Sequence, residues 1–232
     1  MRTLSLGLKH LSRRDMMMLC AGVLLTVAVG GIIKLIENAR TPIPYRSAGI
    51  TARWIPSTVK HWNQPITAMA KKYNVDPDLI AIIMTMESGG DAKAKSGDNA
   101  QGLMQITPLT AKDIASKFLK KPVGHYNLQD PTTNIEFGTA YLAWLRDQFG
   151  EARQGPDWTS TVELVAAGYN GGPGAANNVE QGDGLKDTQT VVYSRDAFNM
   201  WRERHVGDSV TFDRWKERGG STLLDAAKAS QQ

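Results

Sequence analysis

Leu79-Ile80-Ala81-Ile82-Ile83-Met84 is an unbroken apolar run bounded by helix punctuation, and it constrains the fold more than any other stretch of the chain. Asp76 is a good N-cap, Pro77 suits the first helical position, and Gly89-Gly90 is a stop signal. A helix is therefore expected to begin near Asp76 and to end at Gly89-Gly90. Ile80, Ile83, Met84 and Glu87 fall at relative positions 0, 3, 4 and 7, so they share one face, the core-facing one. A carboxylate on that face must find partners or keep its proton, because burying it charged is expensive. An apolar pocket that raises a carboxyl pKa is the means by which a general acid stays protonated near neutral pH. An isolated Glu at a helix end is ordinarily solvated, and only the surrounding segments decide between the two readings.

The rest of the chain is also patterned for helices. Pro65 to Tyr73 has helical spacing through Ile66, Met69, Ala70 and Tyr73. Gly89 to Ala100 is rich in Gly, Asp, Lys and Ser and reads as a surface loop. Thr107-Pro108 starts a helix to about Leu119, and Lys120 to Gln129 is a loop. Asp130-Pro131 opens a helix with Ile135, Gly138, Tyr141, Leu142, Leu145 and Phe149 on its buried side, stopping at Gly150. Glu151 to Asp157 is a polar loop, Ser160 to Tyr169 a further apolar helix, Pro173 the start of a short one, and Thr188 to Arg204 a longer one. After His205 the chain is polar and weakly patterned, with Leu223 to Ala227 readable as a last short helix or a frayed tail. No stretch alternates with period two, and no internal repeat is present, so the fold class is mainly α.

At the N-terminus, Met16 to Ile33 carries no charge. Its length of about 18 residues reaches the lower limit for a bilayer-spanning helix. Arg2, Lys9, Arg13 and Arg14 precede it, which keeps the N-terminus cytoplasmic and exports the rest. A cleavable signal peptide is the rival reading, but its apolar core is shorter, and Lys34 to Ala39 offers no small-x-small site. Ser12-Arg13-Arg14-Asp15-Met16 also resembles a twin-arginine export signal. Arg40 to Ser57, with Pro42, Pro44 and Pro56, reads as an extended linker, although Trp54 and Trp62 are placed to pack on the domain. The expected organisation is a cytoplasmic basic segment at 1–15, a transmembrane anchor at 16–36, a linker at 37–57, a catalytic domain at 58–205 and a C-terminal extension at 206–232.

Composition narrows the function classes. The 232 residues are 22% charged and 41% apolar, ordinary for a globular chain. A net charge of +4 suits an anionic wall or membrane surface but also many soluble proteins. Cys20 is the single cysteine, lies in the apolar run and has no internal partner for a disulfide. The four histidines are scattered without metal-ligand spacing, and no phosphate loop or dinucleotide fingerprint appears. No cofactor, no metal and no nucleic-acid partner are expected.

The segment Glu87-Ser88, Ala94-Lys95-Ser96 and Gly102-Leu103-Met104-Gln105-Ile106-Thr107-Pro108-Leu109-Thr110-Ala111 resembles the signature of the lytic transglycosylase catalytic domain, the soluble-transglycosylase type with a goose-lysozyme-like fold. Ala166-Ala167-Gly168-Tyr169-Asn170-Gly171-Gly172-Pro173-Gly174 looks like that family's second signature, Tyr-Asn-x-Gly-Pro-Gly. The resemblance covers roughly Trp54 to Trp201.

Ordinary glycoside hydrolysis needs a second carboxylate across the scissile bond. Asp91 and Asp98 sit in the polar loop, Glu136 is expected to face solvent beside Ile135, and Asp183 lies in another polar stretch, so none is a convincing partner for Glu87. The resemblance implies one catalytic Glu instead, Glu87, acting first as acid on the bond between N-acetylmuramic acid and N-acetylglucosamine and then as base on the 6-hydroxyl, which closes a 1,6-anhydro ring. It further implies that Ser96 bonds near the acetamido group or Glu87, that Gln105 binds sugar, and that Met104 and Leu103 line the cleft. Tyr169 would aim its hydroxyl at the acetamido oxygen, and Asn170 would brace the loop or touch sugar. Relatives carry a third motif, Glu-Thr-x-x-Tyr. Asp187-Thr188-Gln189-Thr190-Val191-Val192-Tyr193 approaches it with Asp for Glu and the Tyr displaced by two, which leaves open what closes the far side of the cleft. The implied partners are peptidoglycan strands, the inner membrane through 16–36, and an envelope-spanning secretion or conjugation machine, with the catalytic domain in the periplasm. A hydrolytic lysozyme of the same fold and an inactive peptidoglycan-binding module are the alternatives.

Overall fold

The computed structural model describes residues 49–149, 159–181, 184–185 and 187–232. The expected segments at 1–15 and 16–36, most of the linker, the loop 150–158 and Asp183 lie outside the described residues. Among the described residues, no helix is long and apolar enough to cross a membrane. The chain divides into two units, Met1–Ile43 and Pro44–Gln232, and the described residues belong to the second.

That unit is helical. In order it runs α1 Ser57–Lys60, α2 Asn63–Tyr73, α3 Pro77–Ser88, α4 Pro108–Asp113, α5 Pro131–Phe149, α6 Thr159–Gly171, α7 Pro173–Gln181, α8 Thr188–Arg202, α9 Val210–Trp215 and α10 Ser221–Ser230. The expected helix from Pro108 to Leu119 is α4 followed by a wider π-helical turn at Ile114–Phe118, and α8 tightens into a 3₁₀ turn at Glu203–His205. Extended pairing among the described residues is confined to isolated bridges of Gln101 with Lys95 and Ile106.

The α3 helix is capped as its sequence requires. The Asp78 N–H donates to the Asp76 side chain at 2.8 Å, Pro77 opens the first turn, and Gly89 closes the last with φ of 64°. Ten of its 12 residues are buried, so this is a central helix rather than one with a single apolar stripe. The helices α1, α2, α8 and α10 pack on it. Asn134 on α5 fastens the Gly102–Gln105 loop to the body. Its Nδ2 donates to the Gln101 and Leu128 carbonyls, and its Oδ1 accepts from the Met104 N–H, each at 2.7 Å.

Both flanks extend the domain beyond 58–205. Ala52, Trp54 and Ile55, placed in a linker by their prolines, are buried. The reason is Asp78, whose carboxylate is fully buried and needs donors. It receives the Thr51 and Ala52 N–H groups at 2.7 and 3.0 Å and the Thr51 hydroxyl at 2.5 Å. The extension at 206–232 is likewise part of the body. Phe212 packs between Trp54 and Trp215, with ring centroids 5.4 and 5.7 Å away, and Leu224 and Ala227 are buried. The last short helix expected near Leu223 is α10.

Glu136 does not face solvent. Its side chain is 14% exposed and accepts from Lys72 at 2.6 Å, Lys121 at 2.6 Å and Tyr73 at 2.9 Å. Burial would raise its pKa, but the bonds from Lys121, Lys72 and Tyr73 outweigh it and hold the carboxyl down to about 2. A carboxyl with a depressed folded pKa stabilises the fold above its unfolded value, and that stability is lost as pH falls from about 4.5 towards about 2. Glu136→Gln is expected to cost about 1 kcal/mol at pH 7, the two lysines being well solvated. The gap from wild type should close in urea melts taken at pH 2.

Candidate active site

Glu87 stands in the last turn of α3, where the buried helix reaches the surface of the domain. Tyr193 on α8 donates its hydroxyl to Glu87 Oε1 at 2.5 Å. Burial pushes the Glu87 carboxyl up to about 7, and the Tyr193 bond opposes that rise. The group is therefore poised to hold its proton near neutrality and to release it at little cost, the condition for a general acid that later serves as base. Burial and the Glu87 charge in turn push the Tyr193 hydroxyl well above its ordinary range, so Tyr193 is a neutral donor at any working pH.

The two signatures meet behind this pair. The Tyr169 hydroxyl donates to the Met104 carbonyl at 2.7 Å, tying α6 to the Gly102–Gln105 loop. Burial, Glu87 and Tyr141 all raise the Tyr169 pKa, and the Tyr169 and Tyr141 rings lie 5.5 Å apart. The Met104 side chain is fully buried and rests over Gly138, where a Cβ would come within 2.4 Å of its sulfur. It fills the space that glycine leaves and is not available to line a cleft. Only its carbonyl reaches the site. Leu103 is fully buried too, and its carbonyl accepts from Ser88 Oγ at 2.7 Å.

Gln105 adopts a positive φ of 47°, and its Nε2 donates to the Gly102 and Ala94 carbonyls at 2.9 and 3.2 Å. The amide thus shapes its own loop. Ser96 is exposed, and its Oγ accepts from the Ala100 N–H at 3.1 Å, so its partner is the loop backbone rather than Glu87. Asn170 Oδ1 accepts from Thr190 Oγ1 at 2.9 Å, which braces the second-signature turn against α8. Two hollows border that turn. One of about 610 Å³ is bounded by Asn170, Gly174, Asn178, Asp187, Gln189 and Thr190. The other, of about 240 Å³, is walled by Leu109, Ile114, Phe118, Tyr141, Trp144 and Pro173.

The described carboxylates weighed as partners for Glu87 lie elsewhere. Asp91 accepts from the Lys93 N–H in a turn, Asp98 is exposed in its loop, and Glu136 is held by its two lysines. Asp187 caps α8, accepting from the Thr190 N–H at 2.6 Å. The displaced tyrosine of the third motif is the residue whose role the motif spacing left open. Tyr193, Ala197 and Met200 follow helical spacing on α8, and Ala197 and Met200 are buried. That stripe is the sequence signal that would have turned Tyr193 inward.

A helical body that keeps one carboxyl in its acid form at the end of a central helix is a scaffold for acid-catalysed cleavage. The chain belongs to the Transglycosylase SLT domain family, whose model matches residues 64–192. Tyr193 stands one residue past that match. Over 147 residues the chain is 37% identical to the membrane-bound lytic murein transglycosylase C of Actinobacillus pleuropneumoniae serotype 5b, covering 62% of this chain and 39% of that protein. Over 98 residues it is 43% identical to the membrane-bound lytic murein transglycosylase E of Buchnera aphidicola, covering 41% and 44%. The solved structure of an inactive mutant of the lytic transglycosylase Slt from Pseudomonas aeruginosa aligns at 26% identity with a TM-score of 0.45, over 69% of this chain and 24% of that one. The matched region spans less than half the length of these relatives.

Proposed function

We propose that the protein is a peptidoglycan lytic transglycosylase in which Glu87 is both the acid and the base. The observation that carries this reading is the Glu87 carboxyl, raised to about 7 by burial and bonded to Tyr193, while of the other described candidates Asp91 serves a turn, Asp98 is exposed and Glu136 is held in an ion cluster. The names of the two relatives, lytic murein transglycosylases C and E, support the substrate class.

In the proposed sequence, Glu87 gives its proton to the glycosidic oxygen as the bond from that oxygen to the anomeric carbon of N-acetylmuramic acid breaks. The substrate's own acetamido oxygen bonds to the anomeric carbon and stabilises the positive charge, so no second protein carboxylate is required. The ionised Glu87 next takes the proton of the 6-hydroxyl. That oxygen displaces the acetamido oxygen, closes the 1,6-anhydro ring, and leaves Glu87 protonated for the next turnover. Tyr193 stabilises the ionised state between the two steps. Gln105, Asn170 and the hollows beside the second signature bind the strand, and Ser96 and Tyr169 act at the acetamido side.

The reading extends to place. The segment 16–36, with its uncharged run from Met16 to Ile33, anchors the chain in the inner membrane, consistent with relatives named membrane-bound, and the catalytic domain works in the periplasm. A small anchored domain of this kind suits local opening of the wall for a secretion or conjugation machine.

The test is mass spectrometry of muropeptides released from purified sacculi. Products should end in 1,6-anhydro rings, each lighter by one water than a hydrolytic product. Reducing ends alone would make the protein a lysozyme-type hydrolase. Binding without release would make it an inactive wall-binding module.

A further inference from the structure

We infer that the two chain segments flanking the family domain form a clamp that positions Glu87, with Thr58, Trp62 and Gln231 as its positioning residues. This rests on the proposed role of Glu87 as the reacting acid. At the end of α3 the last carbonyls of the helix and of the turn after it have no intrahelical partner. Here side chains from outside the matched region supply the donors. Thr58 Oγ1 donates to the Gly89 carbonyl at 2.6 Å. Trp62 Nε1 and Gln231 Nε2 both donate to the Gly90 carbonyl, at 2.9 and 3.0 Å. Gln231 Nε2 also reaches the Thr58 carbonyl at 3.0 Å, so the C-terminal segment is bonded to α1 as well as to the turn.

The fit is close in both directions. A Cβ at Gly89 would stand 2.8 Å from the Leu223 backbone, and one at Gly90 would stand 2.6 Å from the Thr58 carbonyl oxygen. The two glycines after Glu87-Ser88 are therefore gripped between α1 and α10, with room for neither to shift towards them. On the other side Ser88 is fixed to the Leu103 carbonyl. Glu87 thus leaves a backbone held at its next three residues, and its carboxyl must stay within 2.5 Å of the Tyr193 hydroxyl. A misplacement of about 1 Å at a reacting group costs on the order of 10²-fold in rate, so a clamp remote from the substrate has a kinetic role. The titratable groups that face Glu87 are Tyr193 from α8 and Tyr169 from α6, both neutral, so any change in the titration of Glu87 reports its own hydration and its bond to Tyr193.

The experiment uses the full chain with Trp62→Phe and Gln231→Leu combined, which removes both donors to the Gly90 carbonyl and keeps an aromatic ring at 62 and a near-isosteric side chain at 231. Kinetics on purified sacculi are read alongside a ¹³C NMR titration of the Glu87 carboxyl and a thermal melt. The expected result is a fall in kcat of about tenfold with KM within twofold. The Glu87 titration should move down from about 7 towards the ordinary carboxyl range as water enters. Trp62→Phe combined with Gln231→Lys, which keeps N–H donors at position 231, should recover most of the kcat that the double variant loses. A folded double variant with unchanged kcat and an unchanged titration overturns the clamp, as does a lowered melting temperature with the titration unmoved, which is what a purely structural brace would give. If wild type releases no product, the proposed function fails, while the NMR titration still decides the clamp by itself.

Discussion

Glu87→Gln is expected to abolish glycan cleavage, by about 10³-fold or more, and at the same time to make the protein more stable in alkaline solution. The loss of activity follows from chemistry: an amide neither gives a proton to the departing oxygen nor takes one from the 6-hydroxyl, and general acid–base groups contribute about 10²–10⁴-fold each. The gain in stability follows from the raised pKa. In the unfolded chain the Glu87 carboxyl ionises near its ordinary 4.5, and in the folded protein at about 7. Between these values the folded state holds the extra proton, so stability falls as pH rises through that window and levels off above it. The upper bound on the penalty at pH 8 is about 3–4 kcal/mol, at about 1.4 kcal/mol per tenfold change in proton affinity. Partial contact of the side chain with solvent lowers that figure. Urea melts should show the two proteins nearly equal at pH 4 and the variant ahead at pH 8. Parallel stability curves would mean that the carboxyl is not desolvated, and the mechanism would lose its acid.

Local signals were readable in the sequence because they are local. Asp76, Pro77 and Gly89 delimit α3 within a residue of where the chain was expected to start and stop, and Asp130-Pro131 marks the start of α5. An uninterrupted run such as Leu79 to Met84 also carries the sign of a helix buried on every side, which a single-stripe reading understates. What escaped was tertiary. Glu136 sits beside Ile135 in the chain, yet its partners Lys72 and Lys121 come from 64 and 15 residues away. The flanks read as linker and tail because they are mostly polar, and a few anchors, Trp54, Ile55, Phe212 and Leu224, decide their burial. Asp78 shows the same limit, since its need for donors is visible in the sequence but their source, Thr51 and Ala52, is not. In the candidate site, the two signatures named Glu87, Tyr169, Asn170 and Gln105, and the fold brings Tyr169 and the Gln105 loop together through the Met104 carbonyl. The role of Tyr193 stayed open because residues were counted along a motif when the relevant quantity was its angle on a helix.

Tyr193→Phe tests the residue whose role the motif spacing left open, and its effect has a direction of its own. Its hydroxyl bonds the ionised form of Glu87 and so draws the carboxyl pKa down against the larger effect of burial. Removing one oxygen leaves the ring to pack and takes the bond away. The Glu87 pKa should then rise above about 7, and the alkaline limb of the pH–rate profile should move upward with it. The acid half of the cycle survives, because the proton is held more firmly. The base half suffers, because the carboxylate formed when the glycosidic bond breaks has lost its donor, and kcat should fall about 10–100-fold with KM little changed. Loosening the clamp on Gly89-Gly90 instead admits water and lowers the same limb. The two classes of variant therefore shift one titration in opposite directions. A Tyr193→Phe profile that moves downward, or stays in place while kcat falls, would show that the 2.5 Å bond does not act on the proton of Glu87.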